Sequence, residues 1–205
     1  MRKLLLVIGI FTTLFSQFGK NIVQYENFEW NFIQSKNFDI YYYNDNKINA
    51  EFTLEIAEKA TEEYSQVLDH RLENRVSIII YNSHNDFQQT NVIDSYLFEG
   101  INGVTELYKN RIVVPFDGSI EEFEHVIRHE LVHAFINDLI YEGSYRKMVS
   151  NAVQVRIPLW MNEGLAEYLS AYWDENSEMW IRDLAMNSTN LPSIRDLNGY
   201  LAYRG

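Results

Sequence analysis

The chain has 205 residues, 46% of them hydrophobic and 15% aromatic, which suits one ordinary globular domain. A formal net charge of −12 argues against a nucleic-acid partner, because no basic stripe interrupts the acidity. The absence of cysteine excludes disulfides, thiol catalysis, sulfur metal ligands and lipoprotein acylation together.

Residues 1–19 read as a secretory signal. Arg2 and Lys3 form its positive start, and Leu4 to Phe15 is an apolar run too short to span a bilayer comfortably. Cleavage is expected near Ser16 to Gly19, which leaves residues 20–205 as one exported domain without a stable membrane span. Phe28 to Tyr43 carries two apolar, aromatic runs, of which Phe38 to Tyr43 is the better strand, and Asn44-Asp45-Asn46 is a turn. Ile48 to Leu68 is helical, with Phe52, Ile56, Ala60, Tyr64 and Val67 on one stripe. Val76 to Tyr81 is a continuous β-branched run that belongs at a sheet centre.

From Asn82 to Gly100 no periodicity is clear, although Asp86 to Gln89 suits one helical turn. His84 there is expected to be solvated or capping rather than metal-binding. Val104 to Tyr108 and Arg111 to Val114, joined by Lys109-Asn110, read as a hairpin. Ser119 to Asn137 is an amphipathic helix, with Ile120, Phe123, Ile127, Leu131 and Ala134 on its buried face and Gly118-Ser119 at its start.

Asp138 to Ile157 is a long connection, with a short helix over Met148 to Val155 and a length that suits a wall or lid. Pro158 opens a helix that runs through Glu163, Tyr168, Leu169 and Tyr172, followed by another over Ser177 to Met186. Leu197 to Arg204 looks like the start of a helix that Gly205 cuts short, so the helical C-terminal part is expected to be incomplete.

The chemistry concentrates in His129-Glu130-Leu131-Val132-His133. Two histidines four apart on a helix leave the same face and can bind one ion. Zinc suits imidazole nitrogens and stays tetrahedral, with one open position when three protein groups hold it. Glu130, beside the first histidine, is placed to take a proton from water rather than to bind metal. His125 extends the ladder, but His125 and His133 lie about 12 Å apart along the helix axis and cannot serve one tetrahedral ion. His125 is therefore expected to line or support the site. The bland alternative is a solvated helix that happens to carry His and Glu.

These residues resemble the gluzincin metallopeptidases, in which HExxH is completed by a glutamate on a following helix. Asn162-Glu163-Gly164-Leu165-Ala166 is similar to the NEG segment of the aminopeptidase N-like family, which implies that Glu163 is a metal ligand. Glu167 matches the position where the thermolysin-like pattern carries an Asp that orients a ligand histidine through its outer N–H. The connection departs from both families, since 29 residues separate His133 from Glu163, more than either family carries.

From Phe38 onward the chain also resembles bacterial peptidase MA-like domains that precede TolB-type β-propellers. Pro158-Leu159-Trp160, Ala166-Glu167-Tyr168, Met179 to Asp183 and Ala202 to Gly205 carry that likeness. It implies an α+β, zincin-like fold, with a mixed sheet packed on the metal helix and an edge strand that binds substrate backbone; Gly100 to Glu106 is the place for that edge, with an ordinary sheet edge as the alternative. It also implies a propeller beyond the chain. The function implied is an exported zinc peptidase acting on a peptide or protein substrate; Tyr200 and Tyr203 are candidate oxyanion donors, with a donor beyond Gly205 as the alternative. The alternative is a catalytically silent zincin-like binding or scaffold module of the cell envelope.

Overall fold

The computed structural model describes residues 22, 24–93, 101–107, 109–141, 157–171, 174–187, 193 and 197. The signal segment, the helices expected over Met148 to Val155 and Leu197 to Arg204, and Tyr200 and Tyr203 lie outside the described residues, apart from Leu197 itself.

The domain is α+β. Five strands form one mixed sheet: β1 (Trp30–Gln34), β2 (Phe38–Tyr43), β3 (Val76–Tyr81), β4 (Val104–Glu106) and β5 (Arg111–Pro115). Their order across the sheet is β1-β2-β3-β5-β4. Strands β2, β3 and β5 run parallel, and the two outer strands are antiparallel to their neighbours. The β-branched run of β3 therefore takes the central place, where both faces need apolar cover. Five helices complete the described elements: α1 (Lys47–Val67), α2 (His84–Phe87), α3 (Ile120–Tyr141), α4 (Leu159–Ala171) and α5 (Glu175–Asn187). No helix among the described residues is long and apolar enough to cross a membrane.

One face of the sheet is covered by α1 and α3. Phe38, Ile40, Ile78, Ile80, Ile112 and Val114 pack there with Ile56, Tyr64, Ile127, Leu131 and Phe135 in one buried cluster. The opposite face holds a smaller cluster of Tyr43, Tyr81, Phe87 and Val113, against which Phe28 packs.

Two expectations need correction. His84 neither caps nor faces solvent freely: Ser83 caps the short helix α2, accepting from Asp86 N. The His84 ring meets Phe87 edge-on, and its Nε2 is buried without a hydrogen-bond partner. Helix α3 is not simply amphipathic either, since Arg128, Glu130 and Asp138 are as buried as its apolar residues. The reason is enclosure from two sides, by the sheet and α1 on one and by α4 on the other. The cap is as expected: Ser119 Oγ accepts from Glu122 N at 3.2 Å. Gly118 supplies the turn before it, at φ +100°, a conformation that costs glycine little.

Candidate metal centre

Helix α3 presents His125, His129 and His133 along one side, and α4 lays Glu163 and Glu167 over them. Four-residue spacing on both helices makes two rungs of this ladder. In the inner rung, Glu163 Oε2 lies 3.4 Å from His129 Nε2 and 3.5 Å from His133 Nε2. In the outer rung, Glu167 Oε2 lies 3.3 Å from His129 Nδ1 and 3.5 Å from His125 Nε2. His129 belongs to both, one nitrogen to each.

The 3.3 Å between Glu167 Oε2 and His129 Nδ1 is within reach of a weak N–H···O hydrogen bond, whereas the inner separations are longer than a good one. They match the edge of a tetrahedron around a dication, about 3.3 Å for ligand bonds near 2.05 Å. The ligand atoms of His129, His133 and Glu163 all lie within 4.8 Å of one another, as do those of His125, His129 and Glu167. The described residues thus contain His/Glu groups able to hold a metal ion. In the inner group, the donor set of two imidazoles and one carboxylate fits a first-row dication better than a calcium-like ion.

The electrostatics agree with a cluster of opposed charges. Burial alone would push the His129 imidazolium down, but Glu163, Glu167 and Glu130 raise it to about 9. His129 and His133 hold the Glu163 carboxyl down at about 2 against the opposing effect of burial. Glu167 is held below the usual carboxylate range by His125 first and then His129. A cation binding here must displace a proton, as metal sites built on histidine generally require.

The Glu130 carboxylate meets the outermost strand β4 while still feeling the charges of His133 and His129. Thr105 of β4 lies 2.6 Å from Glu130 Oε2 and 2.9 Å from its backbone oxygen through the same hydroxyl. The hydroxyl has one hydrogen, so it donates to one of the two at a time. Burial raises the Glu130 carboxyl, opposed by His133, Thr105 and His129. Gly103 backs it closely: a Cβ there would meet Val126 Cγ1 at 2.7 Å and Glu130 Cγ at 2.9 Å. The hairpin is tied to α3 at a second point, where Asn110 Nδ2 donates to Ala134 O at 3.0 Å.

Helix α4 is held over the histidines by a buried cation. Arg128 Nε donates to Ser170 O at 3.2 Å, and its NH2 group reaches both Leu169 O and, at 2.9 Å, Glu63 Oε2. A guanidinium at the last carbonyls of a helix also complements its dipole. Tyr64 Oη sits 3.2 Å from Leu169 O, and its ring lies under the Arg128 guanidinium. Among the described residues, His133 has no equivalent of the Glu167 brace, since its buried Nδ1 meets no hydrogen-bond partner there.

The structure thus brings together His125, His129, Glu130, His133, Glu163 and Glu167 of the residues singled out in the sequence, whereas Tyr200 and Tyr203 lie outside the described residues. It adds four that sequence reasoning missed: Gly103, Thr105, Arg128 and Tyr64. A glycine just before a strand, a threonine within it or an arginine in a helix carries no local pattern that marks it. The expected edge strand is β4, which pairs antiparallel with β5 and is the outermost strand of the sheet among the described residues.

Thr105→Val, which removes the hydroxyl that meets Glu130, should lower stability by about 1 kcal/mol in denaturant unfolding, the worth of one hydrogen bond, and Thr105→Ser should restore it. Equal stability of the Val variant would show the contact to be incidental.

Among the described residues, fold and site together define an α+β domain whose histidine–glutamate groups could hold a metal ion, near the outermost strand β4. Comparison with models of known families, with curated proteins and with solved structures gives no match.

Proposed function

We propose that the chain is a zinc-dependent peptidase of the gluzincin type. The observation that supports this most is the convergence of His129 Nε2, His133 Nε2 and Glu163 Oε2 beside a buried carboxylate, Glu130. HExxH and the Asn162-Glu163-Gly164 segment agree with it.

In this reading His129, His133 and Glu163 hold the zinc, which when bound acts as a Lewis acid and makes a nearby water acidic near neutral pH. Glu130 accepts the proton of the attacking water and passes it to the leaving amine. Burial holds its carboxyl above the ordinary range, which suits a group that must both take and return a proton. Glu167 accepts from the outer nitrogen of His129 and keeps Nε2 free for the metal. The outer edge of β4 offers backbone groups to an extended peptide, by strand addition next to Glu130.

The test is metal content with activity. Purified without chelator, the protein should carry about one zinc per chain and hydrolyse unfolded casein. A chelator should remove both, and zinc should restore both. Protein supplied with zinc at neutral pH yet free of metal would sink the reading. A zinc-loaded but inert protein would favour the silent binding module instead.

We also infer export to the cell envelope from Arg2, Lys3 and the apolar run that follows. Expressed in a Gram-negative host, the chain should be recovered from the periplasm shortened by roughly 15 to 20 residues. An intact N-terminus by mass spectrometry would contradict cleavage.

A further inference from the structure

We infer a second, weaker cation site on the outer side of His129, formed by His125 Nε2 and the Glu167 carboxylate. It deepens the metal reading above and rests on it, because His129 joins the two rungs. The outer rung repeats the inner one in kind: two imidazoles four apart on α3 and one carboxylate from α4. The 3.5 Å between His125 Nε2 and Glu167 Oε2 is again long for a good hydrogen bond and close to a tetrahedral edge. The three ligand atoms fall within 4.8 Å of one another.

The two rungs cannot be equal. With a cation on Nε2, neutral His129 keeps its remaining proton on Nδ1, and that nitrogen has no lone pair to offer. The outer ion is then left with His125, Glu167 and water. The outer side chains are also more open, with 36% of His125 and 58% of Glu167 exposed, against 13% of His133 and 37% of Glu163. Openness keeps the carboxylate hydrated and lowers the gain from binding. One nitrogen and one carboxylate select a zinc-like ion over magnesium or calcium, which prefer more oxygens. Occupancy draws Glu167 toward the outer ion and away from the His129 N–H, so the two sites communicate through one carboxylate.

Calorimetric titration of zinc into the chelator-stripped chain tests this. Two phases are expected, with the second on the order of 100-fold weaker than the first, because it has fewer protein ligands. His125→Gln should lose the weak phase and keep the tight one, which also reports that the variant is folded. A weak phase that survives His125→Gln overturns the second site. So does a single phase in the unaltered chain, with the inner reading left standing. Absence of both phases in the unaltered chain overturns the inner reading and the second site together.

Discussion

Glu130→Gln is expected to reduce casein hydrolysis by roughly 10²- to 10⁴-fold, the usual worth of a general base, while zinc content stays at about one per chain. The amide has the same shape and fills the same space against Gly103. It can still accept a hydrogen bond from Thr105, so the β4 contact survives. What it lacks is the ability to take a proton. The substitution also removes a buried negative charge that desolvation disfavours, so the fold should tolerate it. Activity within a few-fold of the unaltered protein would remove Glu130 from the mechanism. Loss of zinc in this variant would show instead that Glu130 supports the metal.

The second large effect separates the two glutamates of α4. Glu163→Gln should weaken zinc binding severely, because it takes the only anionic ligand from a dication. Glu167→Gln should cost about 10- to 100-fold in affinity or activity, as losses behind a ligand histidine typically do. The geometry gives the reason for the difference. Glu163 reaches the Nε2 atoms of two histidines, whereas Glu167 reaches Nδ1 of His129 and the outlying His125. Competition with a zinc chelator on the two variants decides the matter. A greater loss in Glu167→Gln would exchange the two assignments. No effect in Glu167→Gln would make it an ordinary surface residue.

The regular elements were legible because they depend on neighbours along the chain. The period of Phe52, Ile56, Ala60 and Tyr64 marked α1, and the β-branched run of β3 marked the sheet centre. The cap at Ser119 and the position of Pro158 before α4 gave two helix starts within a residue. Within the site, i,i+4 spacing on α3 is enough to put His129 and His133 on one face, since helix geometry alone decides it. Likewise Glu163 and Glu167 share a face of α4 without any reference to the rest of the protein.

What spacing along one helix does not decide is which histidine nitrogen each carboxylate meets. That depends on how α4 crosses α3, and the crossing is set by Arg128 and Tyr64 holding the carbonyls of Leu169 and Ser170. Thr105 is 25 residues from Glu130 in sequence, and only the β4–β5 hairpin laid against α3 brings them together. The same enclosure explains why α3 reads as amphipathic but is buried on nearly every side. Its period records the face turned to the sheet and α1, while Arg128, Glu130 and Asp138 look polar in sequence and are buried against partners far along the chain. Local periodicity and motif spacing determined which residues face each other within a helix. Packing between helices and strands decided which atoms meet, because the bonds that orient them join residues remote in sequence.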